Sequence, residues 1–95
     1  MIRAIRETGG YRWVGIYDVA PDEIGIVAWS GPAAPAGTTR SEIVVPVLDA
    51  GNGRVVGLLK VESDVPDAFG PEDRRCLEEC AAALAYACFF GSSRI

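Results

Sequence analysis

Residues 38–64 read TTRSEIVVPVLDAGNGRVVGLLKVESD, and the reading of this stretch decides the fold. Two apolar runs, from Ile43 to Leu48 and from Val55 to Val61, flank Asp49-Ala50-Gly51-Asn52-Gly53. The glycines supply the positive backbone dihedrals of a tight reversal, so the stretch is a β-hairpin. In the second run Val55, Gly57, Leu59 and Val61 share one parity, while Arg54, Val56, Leu58, Lys60 and Glu62 share the other. Both faces therefore stay largely apolar until the strand ends. Such a strand lies inside its sheet with cover on each side. What covers the second side is the question posed to the rest of the chain, which is short for the task.

The sequence has 95 residues, enough for one domain over 1–95 but at a size where oligomerisation helps a marginal core. Apolar residues make up 49% and charged ones 23%, which excludes a disordered chain. A formal charge of -4 and no cluster of Lys or Arg argue against a nucleic acid partner. No apolar run is long enough to span a bilayer, and Arg3, Arg6 and Glu7 interrupt what a signal peptide keeps apolar; these features predict a cytoplasmic protein away from membranes. The three cysteines, Cys76, Cys80 and Cys88, all fall in one late helical segment and form no disulfide framework.

Moving outward, residues 1–9 are too short for a stable isolated helix, although Ile2 and Ile5 share a face and Gly9-Gly10 would end one. Residues 11–19 alternate, with Trp13, Gly15, Tyr17 and Val19 on one side and Val14 and Ile16 on the other. Pro21-Asp22-Glu23 makes a polar turn into a second strand over 24–29. Residues 30–39 carry two prolines and two glycines without apolar periodicity and form a loop. Extended, its ten residues reach roughly 30 Å, twice the roughly 15 Å between two hairpins side by side, so no crossover helix is needed. Pro71 followed by Glu72 and Asp73 opens a helix. Its periodicity predicts a buried stripe of Cys76, Leu77, Cys80, Ala81, Leu84, Ala87 and Cys88. Tyr86, Phe89 and Phe90 fall off that stripe and point to a second contact; Gly91 can end the helix and 92–95 fray.

In order along the chain, YRWVGIYDV (11–19), WSGPAAPA (29–36), GTTRSEIVVPVLD (37–49), GRVVGLLKVES (53–63) and FGPEDRRCLEECAAAL (69–84) resemble a GAF domain. The resemblance is strongest to the branch that includes free methionine-(R)-sulfoxide reductases and their non-catalytic relatives. It implies an α+β fold: an antiparallel sheet in the order 24-29, 11-19, 54-62, 41-48, a C-terminal helix packed on one face and a ligand pocket on the other. Two departures from the family pattern stand out. The segment that normally roofs the pocket, between the blocks at Ala36 and Gly37, is missing, and the long N-terminal helix is reduced to a few residues.

The same resemblance places substrate-holding positions of the reductase branch at Trp13, Tyr17, Glu42, Lys60 and Glu62. Lys60 stands where an acid is expected, so Glu42, Lys60 and Glu62 can neutralise one another; the alternative is that Lys60 and Glu62 are simply the solvated end of a strand. The cysteines of the reductase branch fall mainly in the missing segment. Cys76, Cys80 and Cys88 read instead as small hydrophobes of a helix core, where burial disfavours the thiolate. With no histidine there is no triad and no four-ligand zinc site within one chain. A lone Arg40 at a strand start more often pairs with a nearby acid such as Glu42 or Asp64 than binds an anion. The expectation is a non-catalytic GAF-like module for dimerisation or protein interaction, without metal or cofactor and most simply a homodimer. A small-molecule sensor is the alternative and a reductase the weaker one.

Overall fold

The computed structural model describes residues 1–19, 24–32 and 39–90, with the backbone alone for 88–90. The expected turn at 21–23, most of the loop at 30–39, the aromatic rings of Phe89 and Phe90 and the helix stop at Gly91 lie outside the described residues. The elements are α1 (Ile2–Gly9), β1 (Trp13–Val19), β2 (Ile24–Ser30), β3 (Ser41–Leu48), β4 (Val55–Ser63) and α2 (Pro71–Leu84), the last running on as a π-helix over Ala85–Phe90.

The hairpin at the centre of the sequence forms as its turn chemistry dictates. Asp49 accepts from Gly51 N (2.7 Å) and Asn52 N (3.2 Å) through Oδ1, and its carbonyl accepts from Gly53 N (2.8 Å). Gly53 holds φ at 73°, a conformation that costs a side chain strain. The four strands lie in the order β2-β1-β4-β3, all antiparallel, as the resemblance implies, with ends shifted by a residue or two. The two strands read as apolar on both faces, β1 and β4, are the central ones. Pro46 sits in β3, an edge strand, where a missing ladder donor is tolerated.

One face of the sheet is closed by helices. Val14 and Ile16 of β1, Ile43, Val45 and Val47 of β3, and Leu59 and Val61 of β4 form a core with Ile2 of α1 and with Leu77, Ala81, Leu84 and Ala85. The short α1 is held by this packing, by Arg6 Nε donating to Ser30 Oγ (2.8 Å) and by a left-handed cap at Gly10 (φ 68°). At the start of α2, Asp73 Oδ2 accepts from Gly70 N (2.9 Å), which satisfies a donor ahead of Pro71. Among the described residues no helix is long and apolar enough to cross a membrane.

Two expectations are corrected. The core stripe of α2 is Leu77, Ala81 and Leu84, with Cys80 half-buried and packed against its edge, whereas Cys76 and Ala87 are exposed. Each thiol precedes a core position by one residue, which turns it roughly 100° away from the sheet; the side chain of Cys88 lies outside the described residues. Val56, expected on the opposite face with Leu58, packs against the core instead. The pairing shifts there, with Val47 opposite Gly57 but Leu48 opposite Val55, so one residue is extra and strict alternation fails.

Candidate functional site

The second face of the sheet is assembled by register. Trp13 stands opposite Glu62, Gly15 opposite Lys60 and Tyr17 opposite Leu58 across β1 and β4. Glu42 stands opposite Glu62 and Val44 opposite Lys60 across β3 and β4. All five residues singled out from the sequence, Trp13, Tyr17, Glu42, Lys60 and Glu62, therefore share this face.

Trp13 has a prepared seat. Its ring lies across Gly15, where a β-carbon would overlap it, and against Gly31, whose own β-carbon would fall 2.9 Å from Trp13 Cδ1. Gly31 has φ 132°, so both the space and the backbone call for glycine there. Tyr17 leans toward the indole, with ring centroids 6.4 Å apart and planes tilted by 44°. Both aromatics are half-buried by this arrangement.

Beside them lies a charge set that neutralises itself. Lys60 Nζ is 3.4 Å from Glu62 Oε2 and 3.8 Å from Glu42 Oε1. The other oxygen of Glu62 accepts from Thr39 Oγ1 at 2.8 Å, a partner that the sequence did not single out. The Glu62 side chain is only 15% exposed and that of Lys60 31%, so these two are not the solvated strand end that composition also allowed. Arg40 is exposed and takes no part in the ion pairs among the described residues.

Strand β2 extends the face with apolar side chains. Trp29 pairs with Gly15, Ile26 with Tyr17 and Ile24 with Val19, and the three are 51%, 45% and 60% exposed. Trp29 and Ile26 are three residues apart, a spacing that simple alternation sends to opposite faces. A bulge at Val27 brings them to one face. Val44 adds a further exposed apolar group. The result is an aromatic and aliphatic surface with one internally paired charge set.

The described thiols are on the other side of the sheet. Cys76 and Cys80 line a groove of about 390 Å³ between α1 and α2, with Tyr11 and Asp73 in its wall. Burial raises the pKa of the Cys80 thiol, and the neighbouring Cys76 and Glu79 add to the shift. Among the described residues no group of three or more His, Cys, Asp or Glu can hold a metal ion.

The fold has known counterparts. The chain is similar to a type II free methionine-R-sulfoxide reductase from Thermoplasma acidophilum, at TM-score 0.79 and 23% identity over 90% of this chain and 84% of that one. It is similar to the free methionine-R-sulfoxide reductase of Neisseria meningitidis, solved in complex with its substrate, at TM-score 0.76 and 26% identity, covering 90% and 71%. A solved GAF domain matches at TM-score 0.73 and 18% identity, covering 92% and 71%. A comparison with curated proteins finds no significant match. The family model for the GAF domain matches residues 28–88, more than half of the sequence. Motif order, sheet order and family model agree, and the chain belongs to the GAF domain family.

Proposed function

We propose that this GAF domain is a non-catalytic interaction module that pairs with a second copy of itself through the sheet face that the described residues leave open. The observation that carries the reading is the exposed row Ile24, Ile26 and Trp29 continuing into Trp13, Tyr17 and Leu58 on one register-defined face. A soluble monomer rarely leaves a contiguous apolar patch of more than a few hundred Å² in water. A two-fold pair covers such a patch by applying it to itself. The charge set suits this use, because Lys60 already satisfies Glu42 and Glu62 and no charged group on β1 or β2 faces the partner from this side.

The non-catalytic part rests on where the two described thiols lie. A thiol that reduces a bound sulfoxide has to reach it, and Cys76 and Cys80 are separated from Trp13 and Tyr17 by the sheet itself. Sedimentation equilibrium over a wide concentration range tests the proposal, with a dimer as the expected species. A folded monomer at all concentrations overturns the pairing. Turnover of free methionine sulfoxide that disappears in Cys76→Ser overturns the non-catalytic assignment.

A second reading is favoured by the seated Trp13 and its neighbour Tyr17. This pair beside Lys60 and Glu62 offers an apolar wall and a few convergent polar groups, the usual make-up of a small-molecule site. The Neisseria reductase was solved with its substrate bound, which makes amino acids the first compounds to screen. Under this reading a thermal-shift screen gives a saturable rise in Tm that is lost in Trp13→Ala.

A further inference from the structure

The groove on the helical side of the sheet has no part in the pairing proposed above. Cys76 and Cys80 are four residues apart on α2, and both line this groove of about 390 Å³, whose other wall is Met1, Ile5 and Tyr11. Side chains four apart on a helix stand one above the other with Cβ atoms about 5–6 Å apart. A metal ion joined to two thiolates by bonds of about 2.3 Å, the length of a zinc–sulfur bond, spans a comparable distance. The two thiols are thus placed to hold one ion between them without unwinding the helix.

The remaining wall decides which ion. Zinc takes four ligands in a structural site. Asp73 is the only described carboxylate lining the groove, and its Oδ2 is engaged by the Gly70 N–H as the helix cap. The other neighbours are the Thr8 hydroxyl, the Met1 thioether, apolar groups and, in Tyr11, a phenol whose pKa is raised by burial and by the nearby Asp73 and thiols. Hard ions find no oxygen cage here. Thiolate sulfur selects soft ions, and monovalent copper is satisfied by two of them in a linear arrangement.

We propose that Cys76 and Cys80 form a two-thiolate site for a soft monovalent cation, monovalent copper, in the groove between α1 and α2. Binding exchanges two S–H bonds for two S–Cu bonds and releases two protons to solvent, with no change in oxidation state. Cys76 is exposed and gives the ion its way in, and Cys80 lies deeper and holds it against the α1 wall.

The test is competition for monovalent copper against a chromophoric chelator, anaerobically, with the whole chain. The expected result is one copper per chain in the unaltered protein, an affinity at least about 100-fold lower in Cys76→Ser and in Cys80→Ser, and no change in Cys88→Ser. Cys80→Ala, an apolar replacement at a half-buried position, keeps the test valid if the serine variant folds poorly; circular dichroism monitors the fold. No retention of copper against the chelator overturns the proposal. So does an equal loss in Cys88→Ser, or one copper per two chains, since either places the ion elsewhere.

Discussion

Leu59→Ala is expected to cost about 3 kcal/mol, within the roughly 2–5 kcal/mol observed when a buried leucine is truncated. Leu59 is fully buried on central strand β4, between Ile16 of β1 and Val45 of β3. Both neighbours are themselves fully buried, so neither can collapse into the void without giving up its own contacts. A domain of this size has about 5–15 kcal/mol in total, so the loss is a large fraction. Thermal unfolding should move down by about 12–24 °C, taking about 4–8 °C per kcal/mol. The neighbouring Leu58 points to the other face and is half-buried. Leu58→Ala at concentrations below dimerisation is therefore expected to cost less than about half as much. Equal effects would mean that the two faces of β4 are not distinguished as described.

The second large effect is expected at the open face. Ile26→Asp places a carboxylate opposite Tyr17, and a two-fold partner brings a second one to the same interface. An uncompensated charge in a buried contact costs about 3–5 kcal/mol, and each 1.4 kcal/mol is tenfold in affinity. The dimer dissociation constant should rise by at least about 100-fold, read by sedimentation. Folding of the monomer should change little, because Ile26 is exposed on an edge strand. Ala83→Asp, on the exposed flank of α2, is the control and should leave the mass unchanged.

These two residues also mark how far the sequence could be read. The parity of Leu58 and Leu59, the glycine turn at 51–53 and the helix start at Pro71 were legible because each depends on local spacing. The strand order followed from the resemblance rather than from periodicity, since alternation says nothing about neighbours. Three features were not legible. Helical period identified the stripe on α2 but not its width, so Cys76 and Ala87, which are exposed, were placed with Leu77, Ala81 and Leu84, while Cys80 packs only at the edge of that core. The bulge at Val27 unites Trp29 and Ile26, and the shift near Val55 sends Val56 to the core; a bulge is a property of a pair of strands and leaves no mark on one.

The candidate site shows the same division. Trp13, Tyr17, Glu42, Lys60 and Glu62 were named from the resemblance, and the register brings them to one face. The seat that Gly15 and Gly31 make for Trp13, and the Thr39 hydroxyl on Glu62, depend on contacts between distant segments that spacing cannot show. Lys60 was readable as a change of sign. Its pairing with both glutamates required the distances.

The central claim is that the open face is where a second copy binds. Its most direct test is isotope-filtered NMR on a mixed dimer of labelled and unlabelled chains, which reports only contacts that cross between subunits. Cross-subunit signals among Trp29, Ile26, Tyr17 and Leu58 are the expected result. Cross-subunit signals confined to α2 and Tyr86, with none from β1 or β2, would contradict the claim and place the interface on the helical side.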